Sequence, residues 1–214
     1  MLKNVPLFSE LNESELANIE EHAVTRSFNK RTILINEGDL TSSLYLILSG
    51  KVKIYCSDEH GKEIIIATLG PGDYFGEVAL IDDAERSASV MTLEDSSFMI
   101  ISKDAFKSAL AQYPEIAISL IKEFTHRFRT MTDNVKNLAL LDVYGRVAKT
   151  LLSMAVEDGD QLIIHEKLTQ QDIANRVGAS REMVAKIMKD LTTGGYIEHQ
   201  DKELILLKKL PARY

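Results

Sequence analysis

The feature that most constrains this chain is a stripe of apolar residues spaced alternately by four and three positions. Its members are Ala117, Ile121, Phe124, Phe128, Met131, Val135 and Leu138. This spacing repeats over about three heptads and is typical of a helix that packs along a second helix. Pro114 precedes the stripe, at a position where proline favours the first turn of a helix. A single long helix is therefore predicted over 114–139, between two separately folded parts, 1–113 and 140–214.

Two interpretations of this helix are open. The stripe could pack against the core of its own domain, or two copies of the chain could pair through it as a coiled coil. Two apolar positions in seven make a narrow face for ordinary core packing. Charged residues such as Lys122, Arg129 and Lys136 flank the stripe. The pattern favours a homodimer.

The first part of the chain is predicted to be rich in β-strands. Residues 7–27 have the apolar spacing of a helical lead-in. Short β-rich runs then follow one another, and turn signals such as Ser49-Gly50 and Gly70-Pro71-Gly72-Asp73 separate them. These runs cover residues 32–35, 43–48, 51–55, 63–67, 87–91 and 97–101. Many short strands at close spacing indicate a β-roll or jelly roll.

The second part reads as a winged helix-turn-helix domain. Asp142 is placed to cap a helix near 143–156, and a polar exposed loop is expected at 157–160. A short strand is predicted at 161–164. Two closely spaced helices should follow at 170–177 and 181–191, and then a strand pair around 195–207 that turns near His199–Lys202. The fold class is therefore α+β.

Charge and composition leave a DNA-binding protein possible. The net charge is −7, but residues from Leu140 onward contain 11 basic and 11 acidic residues, so the acidic excess precedes them. Local charge on one element decides groove entry, and the overall charge does not. The sequence has no apolar run long enough for a membrane span and no secretory h-region. Cys56 is the single cysteine, which fits a reducing compartment such as the cytoplasm.

One segment of the predicted β-domain suits a ligand with one phosphate and one sugar. Gly76 permits a close backbone approach, and the N–H groups of Glu77–Ala79 could face an anion. Arg86 offers a planar two-donor fork for a phosphate, and Ser87 adds a hydroxyl donor. Glu77 could accept a bond from a sugar hydroxyl. Taken singly, these residues would suit a turn glycine and a surface ion pair; the whole run favours a ligand site.

The predicted helix pair has the chemistry of major-groove recognition. Thr169 can cap the first helix, with Asp172 as a capping-box partner, and Gly178 permits the turn. Ser180 can cap the second helix. The outward residues at its start include Arg181, which can donate to guanine, and Glu182, which can accept from cytosine; Lys186 could reach a guanine or a phosphate. The alternative is a solvated face with a Glu182–Lys186 pair.

These two segments carry a family resemblance. The sequence F-G-E-V-A-L, a short loop and R-S-A-S-V resemble the phosphate-binding cassette of cyclic-nucleotide-binding domains. S-R-E at 180–182 is similar to the start of the recognition helix in cyclic-AMP receptor proteins. Nearly the whole chain resembles the CRP/FNR superfamily, and most closely its cyclic-AMP receptor (catabolite activator) members.

The resemblance implies a cytoplasmic homodimeric transcription regulator that is not an enzyme. It implies cyclic AMP as the effector, and double-stranded DNA with a pseudo-palindromic operator and RNA polymerase as partners. Glu77 would then bind the ribose 2′-hydroxyl, and Arg86 and Ser87 the cyclic phosphate. The implied ligand site is Gly76, Glu77, Val78, Arg86, Ser87, Arg127 and Thr132. The implied DNA site is Thr169, Gln171, Ser180, Arg181, Glu182, Lys186 and Lys189.

The chain departs from the family at the base end of the ligand site. Cyclic-AMP receptors have consecutive Thr and Ser hydroxyls there, and this chain has Met131-Thr132. Another ligand, such as a cyclic dinucleotide, or no ligand at all, is therefore an alternative, as is a regulatory subunit that acts on a protein. The single cysteine excludes an iron–sulfur cluster held within one chain, and the scattered histidines argue against haem or a cupin-type metal site. The sequence lacks a catalytic triad order and a P-loop.

Overall fold

The computed structural model describes residues 2–40, 43–159, 161–200 and 203–210. The chain divides into two compact units, Met1–Phe128 and Arg129–Tyr214. Within the described ranges, no helix is both long enough and apolar enough to cross a membrane.

The first unit contains the predicted β-roll. Its strands form two four-stranded antiparallel sheets, with the orders β1-β8-β3-β6 and β2-β7-β4-β5. The strands are β1 (Ala23–Phe28), β2 (Ile33–Ile35), β3 (Ser43–Ser49), β4 (Val52–Ser57), β5 (Glu63–Leu69), β6 (Tyr74–Phe75), β7 (Ser89–Thr92) and β8 (Ser96–Ser102). All six predicted β-runs are confirmed, with their ends shifted by one or two residues.

Strands β3, β6 and β8 of the first sheet are buried on both faces, because successive side chains of a strand point in opposite directions. Tyr74 packs with the helices on one face, and Phe75 packs between the sheets on the other. The core between the sheets consists of Ile35, Ile47, Val52, Phe75, Val90 and Phe98. Each buried side chain of this size contributes about 1.5–3 kcal/mol through removal from water.

The helices of the first unit cover the outer face of that sheet. They are α1 (Glu13–Glu21), α2 (Val78–Ile81), α3 (Lys103–Gln112) and the first part of α4 (Pro114–Leu140), which continues into the second unit. The prediction of a helical lead-in over 7–27 is wrong beyond α1, because β1 begins at Ala23. β1 lies at a sheet edge with its four central residues exposed, so apolar and polar residues do not alternate along it.

Helix α4 begins at Pro114, as predicted, and ends one residue later than predicted, at Leu140. Its buried residues, Ile116 and Leu120, lie outside the apolar stripe. Five of the seven stripe residues are more than 45% exposed in the single chain: Ile121 63%, Phe128 70%, Met131 58%, Val135 65% and Leu138 49%. The interpretation of the stripe as the packing face of its own domain is therefore wrong for most of its length.

The second unit is a helix-turn-helix domain with a small sheet, whose strands lie before and after the helix pair. Its elements are α5 (Val143–Met154), β9 (Val156–Asp158), β10 (Gln161–Ile164), α6 (Gln170–Val177), α7 (Arg181–Thr193), β11 (Ile197–Gln200) and β12 (Glu203–Leu206). The sheet has the antiparallel order β11-β12-β10-β9. Strand β9 occupies part of the predicted loop at 157–160, whose residue 160 lies outside the described residues. The centre of the predicted turn, residues 201–202, also lies outside them.

Candidate functional site

The cassette predicted to bind a ligand forms a sharp turn between β6 and α2. Gly76 follows β6 directly and has a φ of +92°, which favours glycine. A Cβ atom at this position would lie 2.7 Å from Nη1 of Arg86 and 2.8 Å from the carbonyl oxygen of Ser43. Glycine is therefore required here both by the backbone and by the close approach of a guanidinium.

Arg86 is held inside this turn. It is 4% exposed, and its guanidinium donates from Nη1 to the carbonyl of Gly76 at 2.6 Å and from Nη2 to that of Ser43 at 2.7 Å. Its own backbone pairs with the segment Gly38–Asp39. Burial lowers the pKa of Arg86, although the charges of Tyr45, Glu77 and Asp39 act in the opposite direction. A buried cation of this kind is suited to a bound anion.

The loop between α2 and Arg86 is tied to helix α3. Asp83 has a φ of +58° and forms ion pairs with Lys103 at 2.5 Å and Lys107 at 2.8 Å. Hydrogen bonds from these two lysines lower the pKa of Asp83 to about 2. The paired acids Asp82 and Asp83 are thus part of an exposed loop, and Asp83 has a structural role.

Glu77 is the buried acid of the cassette. It is 2% exposed, and its Oε1 accepts a bond from Nη1 of Arg127 at 2.7 Å. Its Oε2 is buried and has no hydrogen-bond partner among the described residues. Burial raises the pKa of Glu77, partly opposed by Arg127. An unsatisfied buried acceptor is costly, and a ligand hydroxyl would satisfy it.

Arg127 joins helix α4 to the cassette. Besides Glu77, it donates to Oε1 of Glu123 at 2.9 Å and to the carbonyl oxygen of Tyr74 at 3.2 Å. Its guanidinium lies 5.0 Å from the centre of the Tyr74 ring, within cation–π range. Burial acts to lower the pKa of Arg127, but Glu77 and Glu123 outweigh it, and the pKa is raised. Arg127 is therefore firmly paired rather than solvated.

The other residues predicted for the ligand site are more exposed. Val78 is 41% exposed at the start of α2, and Ser87 is exposed, with its carbonyl oxygen 3.7 Å from Sγ of Cys56. Thr132 is exposed on the part of α4 that belongs to the second unit. The structure therefore brings together Gly76, Glu77, Arg86 and Arg127.

Three residues of the cassette escaped the sequence analysis. Ser43 contributes a carbonyl, Tyr74 contributes a carbonyl and a ring, and Glu123 contributes a carboxylate. Backbone carbonyls leave no mark on a sequence. Glu123 could have been found, because it precedes Arg127 by four positions on one helix face.

The helix-turn-helix has the predicted caps. The Thr169 side chain accepts from the backbone N–H of Asp172, whose carboxylate accepts in return from the backbone N–H of Thr169, which is a complete capping box. Gly178 ends α6 in the left-handed conformation, with a φ of 65°. The Ser180 hydroxyl accepts from the backbone N–H of Met183 at 3.3 Å and caps α7. Each of the two N-caps stabilises its helix by about 1 kcal/mol.

Helix α7 presents a polar face. Val184, Ile187, Met188 and Leu191 are at most 5% exposed. The predicted contact residues of this helix are all exposed: Arg181, Glu182, Lys186 and Lys189. On α6, Thr169 and Gln171 are exposed, and Gln171 donates to Asn175 at 2.7 Å. The exposed residues are those expected of a helix that enters a major groove.

A cavity of about 390 Å³ lies beside the start of α6. Its lining includes the cationic side chains of Lys167 and Arg181, together with His199. His199 lies on β11 and was predicted only as part of a turn. Basic groups near a helix N-terminus are suited to a phosphate.

Comparisons with known proteins identify a domain type in each part of the chain. A model of the cyclic nucleotide-binding domain matches residues 25–113, and a model of the Crp-like helix-turn-helix domain matches residues 145–212. The CRP-like cAMP-activated global transcriptional regulator of Mycobacterium tuberculosis is 33% identical over 210 residues, 96% of this chain and 94% of that protein. The cAMP-activated global transcriptional regulator Vfr of Pseudomonas aeruginosa is 35% identical over 196 residues, 86% of this chain and 90% of that protein.

A solved structure is also similar. The c-di-GMP responsive global regulator CLP of Xanthomonas campestris has a TM-score of 0.79 and 25% identity, with 92% of this chain and 100% of that chain covered. Relatives with this fold therefore include regulators described as responding to different nucleotides.

Proposed function

The chain belongs to the CRP/FNR family of DNA-binding transcription regulators, and we propose that cyclic AMP is the ligand that controls it. The observation that carries this proposal is the buried Oε2 of Glu77, an acceptor without a partner among the described residues, in the same cassette as the buried guanidinium of Arg86. A buried carboxylate oxygen and a buried guanidinium in one cassette suit a ligand that combines a hydroxyl with a phosphate.

Each residue of the cassette has a proposed role. Glu77 accepts from the ribose 2′-hydroxyl, and Arg86 donates to the cyclic phosphate, with Ser87 and the backbone N–H of Val78 as further donors. A guanidinium has five N–H donors, so that bonds to two carbonyls and to a phosphate are compatible. Gly76 leaves the room that these contacts need. Arg127 fixes Glu77, and Thr132 is the proposed contact for the base.

A cyclic dinucleotide is the second candidate, and Met131 is the residue that favours it. A methionine cannot donate a hydrogen bond to adenine, and it is only a weak acceptor. The similar regulator from Xanthomonas campestris is described as c-di-GMP responsive. The cassette itself, with one buried arginine and one buried glutamate, supports a single phosphate and a single sugar.

Calorimetry of the full-length protein with cyclic AMP, cyclic GMP and cyclic di-GMP tests this proposal. We expect selective binding of cyclic AMP. Arg86→Lys keeps the positive charge but loses the two-donor fork. The variant should therefore bind cyclic AMP at least tenfold more weakly than the wild type. Arg26→Ala, which alters an exposed arginine of β1, is the matched control and should bind normally. Preference for another nucleotide, or normal binding by Arg86→Lys, would overturn the assignment.

We propose further that the active form is a homodimer that pairs through the exposed stripe of α4. The protein would bind a pseudo-palindromic operator in double-stranded DNA, with Arg181, Glu182 and Lys186 at base edges and Thr169, Gln171, Ser180 and Lys189 near phosphates. The functional division is then 1–113 for ligand, 114–139 for dimerisation and 140–214 for DNA. Its place of action is the cytoplasm, with RNA polymerase as its partner at promoters.

The proposed mechanism is a shift between two populations. Cyclic AMP would favour one arrangement of the paired helices and of the break between α4 and α5, near Leu141 and Asp142. That arrangement would present two recognition helices about 34 Å apart, the spacing known for helix-turn-helix dimers, catabolite activator proteins among them.

A further inference from the structure

Helix α7 has one exposed apolar residue in its first turn. Met183 is 47% exposed, whereas the other large apolar residues of the helix, Val184, Ile187, Met188 and Leu191, are at most 5% exposed. Its backbone N–H bonds to the capping hydroxyl of Ser180, which fixes it as the third residue of the helix. The methionine therefore lies at the end of the helix that is expected to meet base edges.

Met183 lies on the flank of the polar face. Successive residues of a helix are about 100° apart, so Met183 stands beside Glu182 and one turn before Lys186. Met183 is not among the predicted DNA-contact residues, and a methionine in a helix pattern more often packs in the core. Its exposure excludes that role and leaves a flexible, polarisable side chain directed away from the core.

The three polar residues near Met183 account for only part of the major-groove code. Arg181 and Lys186 can donate to guanine, and Glu182 can accept from cytosine. None of them suits the methyl group that thymine alone presents in this groove. An apolar side chain gains from contact with that methyl group and loses when it covers a polar base edge.

We propose that Met183 is a specificity-determining residue that contacts the 5-methyl group of a thymine in each operator half-site. This inference rests on the proposed DNA-binding function. It predicts that the protein distinguishes thymine from uracil at one position of the half-site, because the two bases differ only in this methyl group.

The test starts from the full-length protein with cyclic AMP and a pool of randomised duplexes, from which the preferred half-site is selected. Each thymine of that half-site is then replaced in turn by deoxyuridine, and affinity is measured by fluorescence anisotropy at one salt concentration. Replacement of one thymine should weaken wild-type binding about fourfold, the factor that corresponds to one methyl-sized group left in water.

Variants test whether the Met183 side chain causes this preference for thymine over uracil. Met183→Ala should bind the thymine and uracil duplexes equally, and Met183→Leu should keep most of the preference. Lys186→Ala is the control and should lower both affinities while keeping their ratio. A half-site without thymine, a wild-type ratio of one at every position, or a preference retained by Met183→Ala would overturn the inference. Failure of the DNA-binding function itself would appear earlier, as a selection that enriches no sequence.

Discussion

At the scale of single residues, the ligand cassette buries one acidic and one basic side chain, whose charges must be compensated by hydrogen bonds or ion pairs. Glu77 and Arg86 are both almost fully buried, and each reaches groups far away in the sequence. Burial of a charge is costly unless bonds compensate it. Arg127 supplies one such bond to Glu77, whereas the Oε2 atom of Glu77 has no partner among the described residues. The proposed ligand would supply the missing bond.

The raised pKa of Glu77 predicts a pH dependence of ligand binding. A ribose hydroxyl donates to the carboxylate form, so binding favours ionisation and opposes protonation. Affinity for cyclic AMP should therefore fall as the pH is lowered through the raised pKa of Glu77. Because of the same shift, the folded state binds more protons than the unfolded state at pH values near the raised pKa of Glu77. The free energy of unfolding of the ligand-free protein should therefore rise as the pH falls through this range.

Glu77→Gln tests that assignment. The variant should bind cyclic AMP at least tenfold more weakly at neutral pH, because a bond to a charged group contributes about 1.5–3 kcal/mol. Its remaining affinity should be nearly independent of pH in calorimetric titrations. Glu123→Gln is the matched control, since Glu123 also contacts Arg127 but is not one of the proposed ligand contacts. An unchanged pH profile in Glu77→Gln would contradict the role given to this carboxylate.

Tyr74 carries a second buried atom without a partner. Its hydroxyl oxygen is buried and forms no hydrogen bond with any described residue, and burial raises its pKa. Tyr74→Phe removes this hydroxyl and keeps the ring beneath Arg127. We expect the free energy of unfolding to increase by about 1 kcal/mol, because an unsatisfied buried group is lost. Urea denaturation measures this free energy of unfolding. A Tyr74→Phe variant that is less stable than the wild type would contradict the prediction and would show that the hydroxyl has a hydrogen-bond partner in solution.

At the scale of elements, helix α4 has one face that packs into the core of the first unit and another, apolar face that is exposed. Ile116 and Leu120 pack into the core of the first unit, and the apolar stripe from Phe128 to Leu138 is exposed. Such a continuous apolar surface on a single chain marks an interaction site. Its heptad spacing matches a second copy of the same helix.

Phe128→Glu should convert the dimer to a monomer. The substitution places a charge in the seam, where it would have to be buried without a counter-charge. Sedimentation equilibrium measures the change, and circular dichroism should show that the fold is kept. Lys122→Glu, an exposed position outside the stripe, should leave the dimer intact. A wild-type protein that sediments as a monomer would refute pairing through α4.

Arg146 of α5 connects the break after α4 with the helix-turn-helix. Its Nε donates to the carbonyl oxygen of Val177 at 2.9 Å, and its Nη1 donates to that of Leu141 at 3.0 Å. Arg146→Met removes both bonds and keeps much of the apolar stem. We expect cyclic AMP to bind normally, while the ratio of DNA affinities with and without cyclic AMP falls toward one. Calorimetry and anisotropy measure the two properties separately, and an unchanged ratio would refute this coupling role.

Elements with local signals were predicted well. The boundaries of α6 and the start of α7 follow from Thr169, Gly178 and Ser180, because caps act within a few residues. The edge strand β1, the two-residue strand β6 and helix α3 were missed, since they are exposed, very short or adjacent to another helix. The pairing of Glu77 with Arg127 could not be predicted from spacing, because 50 positions separate the two residues and only the fold brings them together.

At the scale of the whole molecule, the proposed ligand site is coupled to the proposed DNA site. The chain carries both in two compact units, and α4 is the continuous element whose residues belong to each. A ligand can shift such a protein only by the difference in its affinity for two arrangements. Allosteric coupling between two sites is typically 1–3 kcal/mol, or about 5–150-fold in affinity.

The most direct test is the affinity of the full-length protein for its selected operator duplex, measured by fluorescence anisotropy with and without cyclic AMP at one salt concentration. The account predicts that cyclic AMP increases this affinity at least fivefold, and that cyclic di-GMP does not. An affinity that cyclic AMP leaves unchanged, or that cyclic di-GMP increases instead, would contradict it.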